Sequence, residues 1–265
     1  MKFISFFNSQ KDTLERPAVF GEGDTLFRYN FASKYAKNKK VLDIGTGYGD
    51  GAHYFLSKGA KEVVGIDNSK MAIVEAKKKF SQKESVFEIM DALKLKFPKN
   101  CFDVVAAFEI LEHLPIEKHK VFLENIKSVL KKGGLVFLST PNKLINSPNT
   151  DKPNNPYHIH EFTAEELKAL LKKYFSKIEI MGIKAINKEY IKVYNTLGKS
   201  FRYKILHAVG KSKLVRELAG FIPKKTRIKL TGENLYPNLT IRDFKMYSNK
   251  IKRDECLTLM AIMRQ

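Results

Sequence analysis

Three glycines at alternate positions follow a short apolar run, and this spacing favours a turn that holds a polar ligand. The apolar run Val41–Ile44 precedes Gly45, Gly47 and Gly49. Glycines adopt backbone angles that other residues avoid and let a ligand approach the chain closely. The amides that open a following helix also attract electronegative groups. Because Asp50 stands where a dinucleotide fingerprint has its third glycine, the turn is not typical of a pyrophosphate site.

Acidic side chains stand at the ends of four apparent strands. They are Asp43, Asp67, Asp91 and Glu109. Ligands of open α/β sheets bind at the edge formed by the carboxyl ends of the strands. Asp43 would suit an ammonium-bearing ligand, and Asp67 would suit the two hydroxyl groups of a ribose. The alternative for Asp67 is a structural role at the start of the next helix.

A second group of residues could transfer a proton. Glu109, Glu112 and His113 follow the fourth strand, whereas His158 and His160 lie in a long Pro- and Asn-rich segment after the fifth. Both segments leave the same sheet edge, so they can converge. A histidine beside a carboxylate could act as a general base on a hydroxyl group. The alternatives are a divalent metal site and histidines that only order the two loops.

The elements that must position these residues alternate between strand-like and amphipathic helical runs, a pattern typical of parallel sheets. Strands are predicted at Lys40–Ile44, Glu62–Ile66, Val86–Ile89, Val104–Phe108, Leu135–Ser139, Ile178–Met181 and 256–263. Helices are predicted at about 24–37 and at Gly49–Lys58, Ser69–Phe80, Glu117–Lys131 and Ala164–Tyr174. Thr163 and Glu166 have the spacing of a capping box ahead of the last of these helices.

The amino-acid composition excludes several classes of protein. The 265 residues are 43% hydrophobic and 29% charged, which excludes a disordered or fibrous chain. Two cysteines, Cys101 and Cys256, cannot form a disulfide framework or a four-cysteine zinc site. The amino terminus lacks the pattern of a secretion signal, and no apolar run reaches the roughly 18 residues of a membrane span. We therefore expect a soluble protein of the cytoplasm.

The net charge of +20 is unevenly distributed along the chain. Residues 181–265 contain 19 basic and 6 acidic side chains, a net charge of +13. One interpretation is a solvated, lysine-rich surface. The other is a lid that favours an anionic partner such as a phosphate, a nucleic acid or an acidic lipid.

In combination, several motifs resemble the class I S-adenosylmethionine-dependent methyltransferases over about residues 15–183. These motifs are the Asp-x-Gly-x-Gly-x-Gly turn, Asp67, Asp91-Ala92 and Glu109-Ile-Leu-Glu112-His113-Leu114. The resemblance implies a doubly wound α/β fold with a seven-stranded, mostly parallel sheet. Its one antiparallel strand would be residues 256–263. It also implies S-adenosylmethionine as cofactor and S-adenosylhomocysteine as product.

The domain organisation follows from this resemblance and from the charge distribution. Residues 1–183 would form a Rossmann-like cofactor-binding core with an N-terminal helix. Residues 184–249 would form a basic, helical lid or substrate insertion. Residues 250–265 would supply the final strand of the core sheet.

The resemblance also assigns residues to the cofactor. The turn from Gly45 to Gly49 would face the methionine portion, Asp67 the ribose, and Asp91 with Ala92 the adenine. Phe108 and Glu109 would close the near wall. The full set implied is Arg28, Asp43, Gly45, Thr46, Gly47, Gly49, Asp67, Asn68, Asp91, Ala92, Phe108 and Glu109.

Four further motifs are similar to methyltransferases of bacterial and archaeal surface-glycan pathways. They are Glu15-Arg16-Pro17, the run from Phe27 to Ala32, Ser139-Thr140-Pro141-Asn142 and the run from Asn155 to Thr163. This similarity implies methyl transfer to an oxygen, or alternatively a nitrogen, of a small anionic or sugar-like substrate in polysaccharide biosynthesis. The catalytic residues would be His158, His113 and Glu112. If a divalent metal took part, its ligands would be Glu109, Glu112, His113 and His158.

Three other functions fit parts of the pattern. The Glu-x-x-Glu-His run with a downstream histidine also resembles metal-dependent enzymes that methylate the 3′-terminal ribose of RNA, although the chain shows no recognisable RNA-binding module. Quinone-pathway O-methyltransferases share the Glu-x-x-Glu-His-Leu pattern. A methyltransferase-like binding subunit without catalytic activity is the third alternative.

Overall fold

The computed structural model describes residues 22–188 and 240–265. The described residues fall into two compact units. One consists of Leu26–Lys184 with Met246–Gln265, and the other includes residues 22–25, 185–188 and 240–245. Residues 189–239, which make up most of the predicted lid, lie outside the described residues, as does the segment 1–21.

Eight strands and seven α-helices occur in the described residues. The strands are β1 (Lys40–Ile44), β2 (Glu62–Asp67), β3 (Ser85–Ile89), β4 (Phe102–Phe108), β5 (Leu130–Pro141), β6 (Lys177–Ala185), β7 (Phe244–Tyr247) and β8 (Thr258–Arg264). The helices are α1 (Glu22–Ser33), α2 (Asp50–Ser57), α3 (Lys70–Phe80), α4 (His119–Val129), α5 (Lys143–Asn146), α6 (Ala164–Leu171) and α7 (Lys250–Asp254). Among the described helices, none has the length and apolar character needed to cross a membrane.

The strands form one sheet in the order β3-β2-β1-β4-β5-β8-β6-β7. Strand β1 pairs in parallel with both β2 and β4, so the strand order reverses direction beside it. Strand β8 runs antiparallel to β5 and β6. The predicted doubly wound, mostly parallel sheet with an antiparallel last strand is therefore confirmed. In such sheets the crevice at the reversal point is the usual ligand site.

The prediction of seven strands is wrong by one, because β7 adds an eighth strand to the sheet. Its four residues, Phe-Lys-Met-Tyr, are too few to show strand alternation, and they lie within the basic region interpreted as lid. The final segment also differs from a continuous strand, since residues 250–254 form α7. The side-chain amide of Asn142 donates to the carbonyls of Asp254 (3.1 Å) and Cys256 (2.8 Å), and β8 begins two residues later, at Thr258.

Helices α4 and α6 pack against the central strands in one hydrophobic core. Helix α4 buries Phe122, Leu123 and Ile126 completely, because these residues lie on one face of the helix. Helix α6 buries Leu167 and Leu171 in the same cluster. Burying a side chain of this size contributes roughly 1.5–3 kcal/mol. The sheet edge is therefore a rigid support for the polar residues that follow β1, β2 and β4.

The predicted capping box at the start of α6 is present. The Thr163 hydroxyl accepts a hydrogen bond from the Glu166 amide (3.2 Å), and the Glu166 carboxylate accepts one from the Thr163 amide (2.8 Å). Such a cap satisfies amides that the first helical turn would leave without partners. It fixes the point at which the long segment after β5 enters α6.

Candidate active site

The glycine turn after β1 is tied to β2 and leaves room for a ligand. The amides of Gly45 and Thr46 both donate to the carbonyl of Ile66, at 2.8 and 2.9 Å. Gly45 and Gly47 have positive φ angles of 72° and 55°, which favour glycine. A Cβ atom at Gly45 would lie 2.2 Å from Cδ1 of Ile110, whereas one at Gly47 would meet nothing within 4 Å. The open space at Gly47 lets a ligand approach the backbone.

Asp67 is fixed against this turn. Its Oδ2 accepts a hydrogen bond from the Gly47 amide and its Oδ1 accepts one from the Ser69 amide, both at 2.9 Å. Each carboxylate oxygen can accept more than one hydrogen bond. The carboxylate can therefore order the start of α3 and still accept the hydroxyl groups of a ribose. The two roles considered for Asp67 are compatible.

Asp43 is buried in the protein and holds the glycine turn through hydrogen bonds. Its carboxylate is fully buried and accepts hydrogen bonds from the hydroxyls of Thr46 (2.7 Å) and Tyr29 (3.1 and 3.2 Å). Burial raises the pKa of Asp43 to about 7 even though the two hydroxyls lower it, and the nearby Asp67 charge raises it further. The structure thus shows that Asp43 stabilises the glycine turn. Its contact with an ammonium group stays a prediction.

The predicted adenine contacts lie at the carboxyl end of β3. The exposed Asp91 accepts a hydrogen bond at Oδ1 from the Leu93 amide (2.8 Å). The carbonyl of Ala92 accepts one from the Asn125 side chain (3.3 Å). Asn68, at the end of β2, is exposed. These residues border the same sheet edge as the glycine turn.

Arg28, Phe108 and Glu109 form a wall at the end of β4. Oε1 of Glu109 accepts a hydrogen bond from the Ser139 hydroxyl (2.7 Å) and lies 3.4 Å from Nη1 of Arg28. The guanidinium carbon of Arg28 lies 6.0 Å from the centre of the Phe108 ring. Glu109 has a φ angle of 55°, which is unusual for a residue other than glycine. Its ion pair and hydrogen bonds hold it in that conformation.

Glu112 belongs to a separate cluster. Its carboxylate is buried, and its Oε2 accepts a hydrogen bond from the Thr140 hydroxyl (3.1 Å). Adjacent strand residues point to opposite faces of a sheet, so Ser139 and Thr140 reach Glu109 and Glu112 from opposite faces. Glu109 therefore does not share the surroundings of Glu112, although the sequence suggested that both belong to one group.

The loop after β4 and the segment after β5 meet, as their common sheet edge predicts. The Glu112 carbonyl accepts hydrogen bonds from the amides of Ile159 (2.7 Å) and His160 (3.3 Å). Nδ1 of His113 is 3.0 Å from the Tyr157 carbonyl, to which it donates. The rings of His113 and His158 have centroids 5.0 Å apart. Backbone hydrogen bonds thus hold the histidine-bearing segment against Glu112 and His113.

The two histidines of this segment have different surroundings. His158 contacts Glu161 through Nδ1 (2.6 Å) and Asn155 through Nε2 (2.8 Å). His160 instead packs edge-on against Phe162, with centroids 4.5 Å apart, and burial lowers its pKa. Glu161 and Asn155 were not predicted as site residues. The three-residue spacing of His158 and Glu161 was a signal in the sequence, but only the fold shows that they meet.

The cluster offers three of the four predicted metal ligands. Ligand atoms of Glu112, His113 and His158 lie within 4.8 Å of one another, whereas Glu109 pairs with Arg28. Both ring nitrogens of His158 already take part in hydrogen bonds. A metal ion bound by His158 would have to displace Asn155 or Glu161. As arranged, the residues fit a general base better than a coordination sphere.

Comparison with known proteins shows similarity to methyltransferases. Residues 41–134 match the family model described as a methyltransferase domain. A probable S-adenosylmethionine-dependent methyltransferase of Mycobacterium tuberculosis is 33% identical over 135 residues, 50% of this chain and 47% of the relative. The phosphoethanolamine N-methyltransferase of Plasmodium falciparum is 30% identical over 156 residues, 51% of this chain and 59% of the relative.

A third relative is the ubiquinone biosynthesis O-methyltransferase of Pelagibacter ubique, 36% identical over 124 residues, 46% of this chain and 50% of the relative. The chain therefore spans about half the length of the curated relatives that it matches. Among solved structures, a methyltransferase from Archaeoglobus fulgidus has a TM-score of 0.56 and 18% identity, covering 91% of this chain and 94% of its own. This last similarity shows the fold.

We expect the change Asp67→Ala to weaken the binding of S-adenosylhomocysteine by about 1–3 kcal/mol, since a charged hydrogen-bond acceptor is lost. Isothermal titration calorimetry with the wild-type protein and the variant measures this loss of affinity. The matched control is Asp103→Ala. Asp103 also accepts a backbone amide, that of Lys40 (2.9 Å), but it lies at the amino end of β4. An equal loss of affinity in both variants would contradict the assignment of Asp67 to the ribose.

We expect the change Asp43→Asn to flatten the pH dependence of stability. The folded pKa of Asp43, about 7, is above its ordinary value of 3.8, so between these values the folded state holds a proton that the unfolded state has lost. The free energy of unfolding therefore falls with rising pH in this window, by at most about 1.4 kcal/mol per unit. Urea unfolding of both proteins at pH 4.5, 6 and 7.5 measures the difference in slope.

Asp103→Asn serves as the control for this pH dependence. Despite a desolvation effect that raises the pKa of Asp103, the Lys40 amide and the Lys131 ammonium hold it below its ordinary value. Its contribution to stability is lost only in more acidic solution. That variant should therefore lose stability without changing the slope between pH 5 and 7. An unchanged slope in Asp43→Asn would show that Asp43 is ionised throughout this range.

Proposed function

We propose that this chain, whose residues 41–134 match a methyltransferase domain, is a class I S-adenosylmethionine-dependent methyltransferase that transfers the methyl group of S-adenosylmethionine to an oxygen of a small polar acceptor. The acceptor is a sugar- or phosphate-bearing molecule of surface-glycan biosynthesis, methylated in the cytoplasm. One observation supports an oxygen atom as the methyl acceptor. His158 is hydrogen-bonded to a buried glutamate, the arrangement of a general base that removes a hydroxyl proton.

The residues at the sheet edge fit the cofactor. The open backbone at Gly47 would take the methionine portion, the Asp67 carboxylate the ribose, and Asp91 with Ala92 the adenine. Phe108 and Glu109 would line the near wall. When bound, S-adenosylmethionine supplies a methyl group on a positively charged sulfur, which is open to displacement by a nucleophile.

The protein itself positions the two reactants and supplies a proton acceptor. Holding two reactants in line contributes most to reactions of this kind. An attacking hydroxyl must also lose its proton, and His158 would take it. Glu112 and His113 support His158, because the Glu112 carbonyl and the His113 ring both hold the segment 157–160.

The proposed acceptor class rests on charge and on one relative. Residues 181–265 have a net charge of +13, which favours an acceptor bearing an acid group. The Plasmodium falciparum relative is named for a phosphate-bearing acceptor, phosphoethanolamine. That name also makes methyl transfer to nitrogen the first alternative. Methyl transfer to an amine would require a weaker base than methyl transfer to an alcohol.

We expect the change His158→Ala to lower turnover by roughly 10²–10⁴, the range for loss of a general base. The affinity for S-adenosylhomocysteine should be unchanged. The assay supplies methyl-labelled S-adenosylmethionine with a nucleotide sugar, a sugar phosphate, phosphoethanolamine or a demethylated quinol. His160→Ala is the matched control, since His160 lies two residues away and packs against Phe162. Wild-type turnover in the His158 variant would refute its role as a base.

A metal-dependent methyltransferase of RNA ends is the second candidate, favoured by the Glu112, His113 and His158 cluster. For the proposed function we expect enzyme treated with a chelator to keep full activity. Loss of activity that Mn²⁺ restores would instead favour the second candidate. RNA binding that weakens steeply between two salt concentrations would support it further, because each phosphate contact adds to the salt dependence.

A quinone-pathway O-methyltransferase is favoured by the similarity to the Pelagibacter ubique enzyme. This candidate shares the cofactor site and the base with the proposed function and differs in the acceptor. Turnover of the demethylated quinol, without turnover of the sugar and phosphate acceptors, would identify it. Turnover of phosphoethanolamine alone would identify methyl transfer to nitrogen.

A further inference from the structure

Hydrogen bonds around His158 determine which of its ring nitrogens can accept a proton. The side-chain oxygen of Asn155 accepts a hydrogen bond from the Tyr157 amide (3.1 Å). This contact orients the Asn155 side chain so that its NH₂ group lies 2.8 Å from Nε2 of His158. An NH₂ group can only donate, so Nε2 must accept. In the neutral ring the proton is therefore on Nδ1.

The proton on Nδ1 is directed at Glu161. Nδ1 of His158 and Oε1 of Glu161 are 2.6 Å apart, a short hydrogen bond in which the ring N–H donates to the carboxylate. Glu161 is only 3% exposed, and its Oε2 has no hydrogen-bond partner among the described residues. A buried carboxylate with one donor is costly unless its charge is compensated. A positive charge on His158 would supply that compensation.

The Glu161 side chain is not needed to hold the segment in place. The backbone amides of Ile159 and His160 already bind the Glu112 carbonyl, and the amide of His158 binds the Asn155 carbonyl (3.1 Å). The capping box at Thr163 fixes the following residues. A carboxylate buried against the imidazole is therefore better explained by its effect on the ring than by a role in anchoring the loop.

We infer that Glu161 is a positioning residue, which together with Asn155 fixes the His158 tautomer with Nε2 as the basic nitrogen and by itself stabilises the imidazolium formed during methyl transfer. This inference rests on the proposed function. In the step, the acceptor hydroxyl replaces the Asn155 NH₂ group as the donor to Nε2. The hydroxyl oxygen forms a bond to the methyl carbon as the carbon–sulfur bond breaks, and that electron pair goes to sulfur. The hydroxyl proton passes to Nε2 and later to water.

The tautomer can be measured without knowing the acceptor. Nitrogen NMR of the histidine rings in the wild-type protein should show a proton on Nδ1 of His158 and none on Nε2. In Asn155→Ala the Glu161 carboxylate alone should keep this tautomer, whereas Asn155→Ala combined with Glu161→Gln removes both constraints and should give a mixture of both tautomers. His113 is an internal control, because its Nδ1 faces the Tyr157 carbonyl, which only accepts. A proton on Nε2 of His158 in the wild type, or a mixture of tautomers in Asn155→Ala alone, would overturn the inference.

A double-variant cycle then tests whether Glu161 acts through His158. Using whichever probe acceptor named above is turned over, Glu161→Gln should lower kcat roughly 10²–10⁴-fold with little change in KM. Glu161→Gln combined with His158→Ala should be no slower than His158→Ala alone, since the two residues act as one unit. Losses that multiply in the double variant would overturn the inference.

The two proposals fail in different ways. If His158→Ala retains wild-type turnover, the proposed base is wrong, whatever the tautomer is. If His158→Ala is slow but Glu161→Gln is as fast as the wild type, the base stands and the positioning role of Glu161 is refuted.

Discussion

A buried carboxylate connects three parts of the proposed cofactor site. Asp43, at the end of β1, accepts hydrogen bonds from Tyr29 on α1 and from Thr46 in the glycine turn. Tyr29 in turn packs edge-on against Phe108, at the end of β4. The Tyr29 ring fits only because residue 51 is a glycine, as a Cβ atom there would lie 2.0 Å from it. The positions of α1, the turn and the β4 wall therefore all depend on Asp43 and its two hydroxyl partners.

The residues proposed to transfer the proton are held in place by a separate set of hydrogen bonds. The Glu112 carbonyl receives two amides from the segment after β5, and the Glu112 side chain is bound by Thr140. The residues proposed to hold the cofactor depend on Asp43 and Asp67, whereas His158 depends on Glu112, Asn155 and Glu161. The two sets leave the same sheet edge and are held by different hydrogen bonds. Changes in one set can thus be separated from changes in the other.

Much of the fold could be predicted from the sequence, because short apolar runs alternate with helical ones and acidic residues follow the strands. The number of strands could not, since β7 has four residues in a lysine-rich region. Burial of Asp43 was also missed, because its partner Tyr29 lies 14 residues away and is brought near only by α1. Asn155 and Glu161 were missed for a related reason. Their roles depend on a turn that orients an amide, which residue types alone do not show.

The bonds that Asn142 makes also bear on how such a chain can change over evolutionary time. Its amide binds two carbonyls just before β8, and Asn146 binds the Leu257 carbonyl (2.7 Å). Strand β8 pairs with β5 and β6 over its whole length. The last strand is therefore anchored by residues that precede β6. The anchor of β8 therefore does not depend on the number of residues between β6 and β8, so that number can differ between relatives while the start of β8 stays in place.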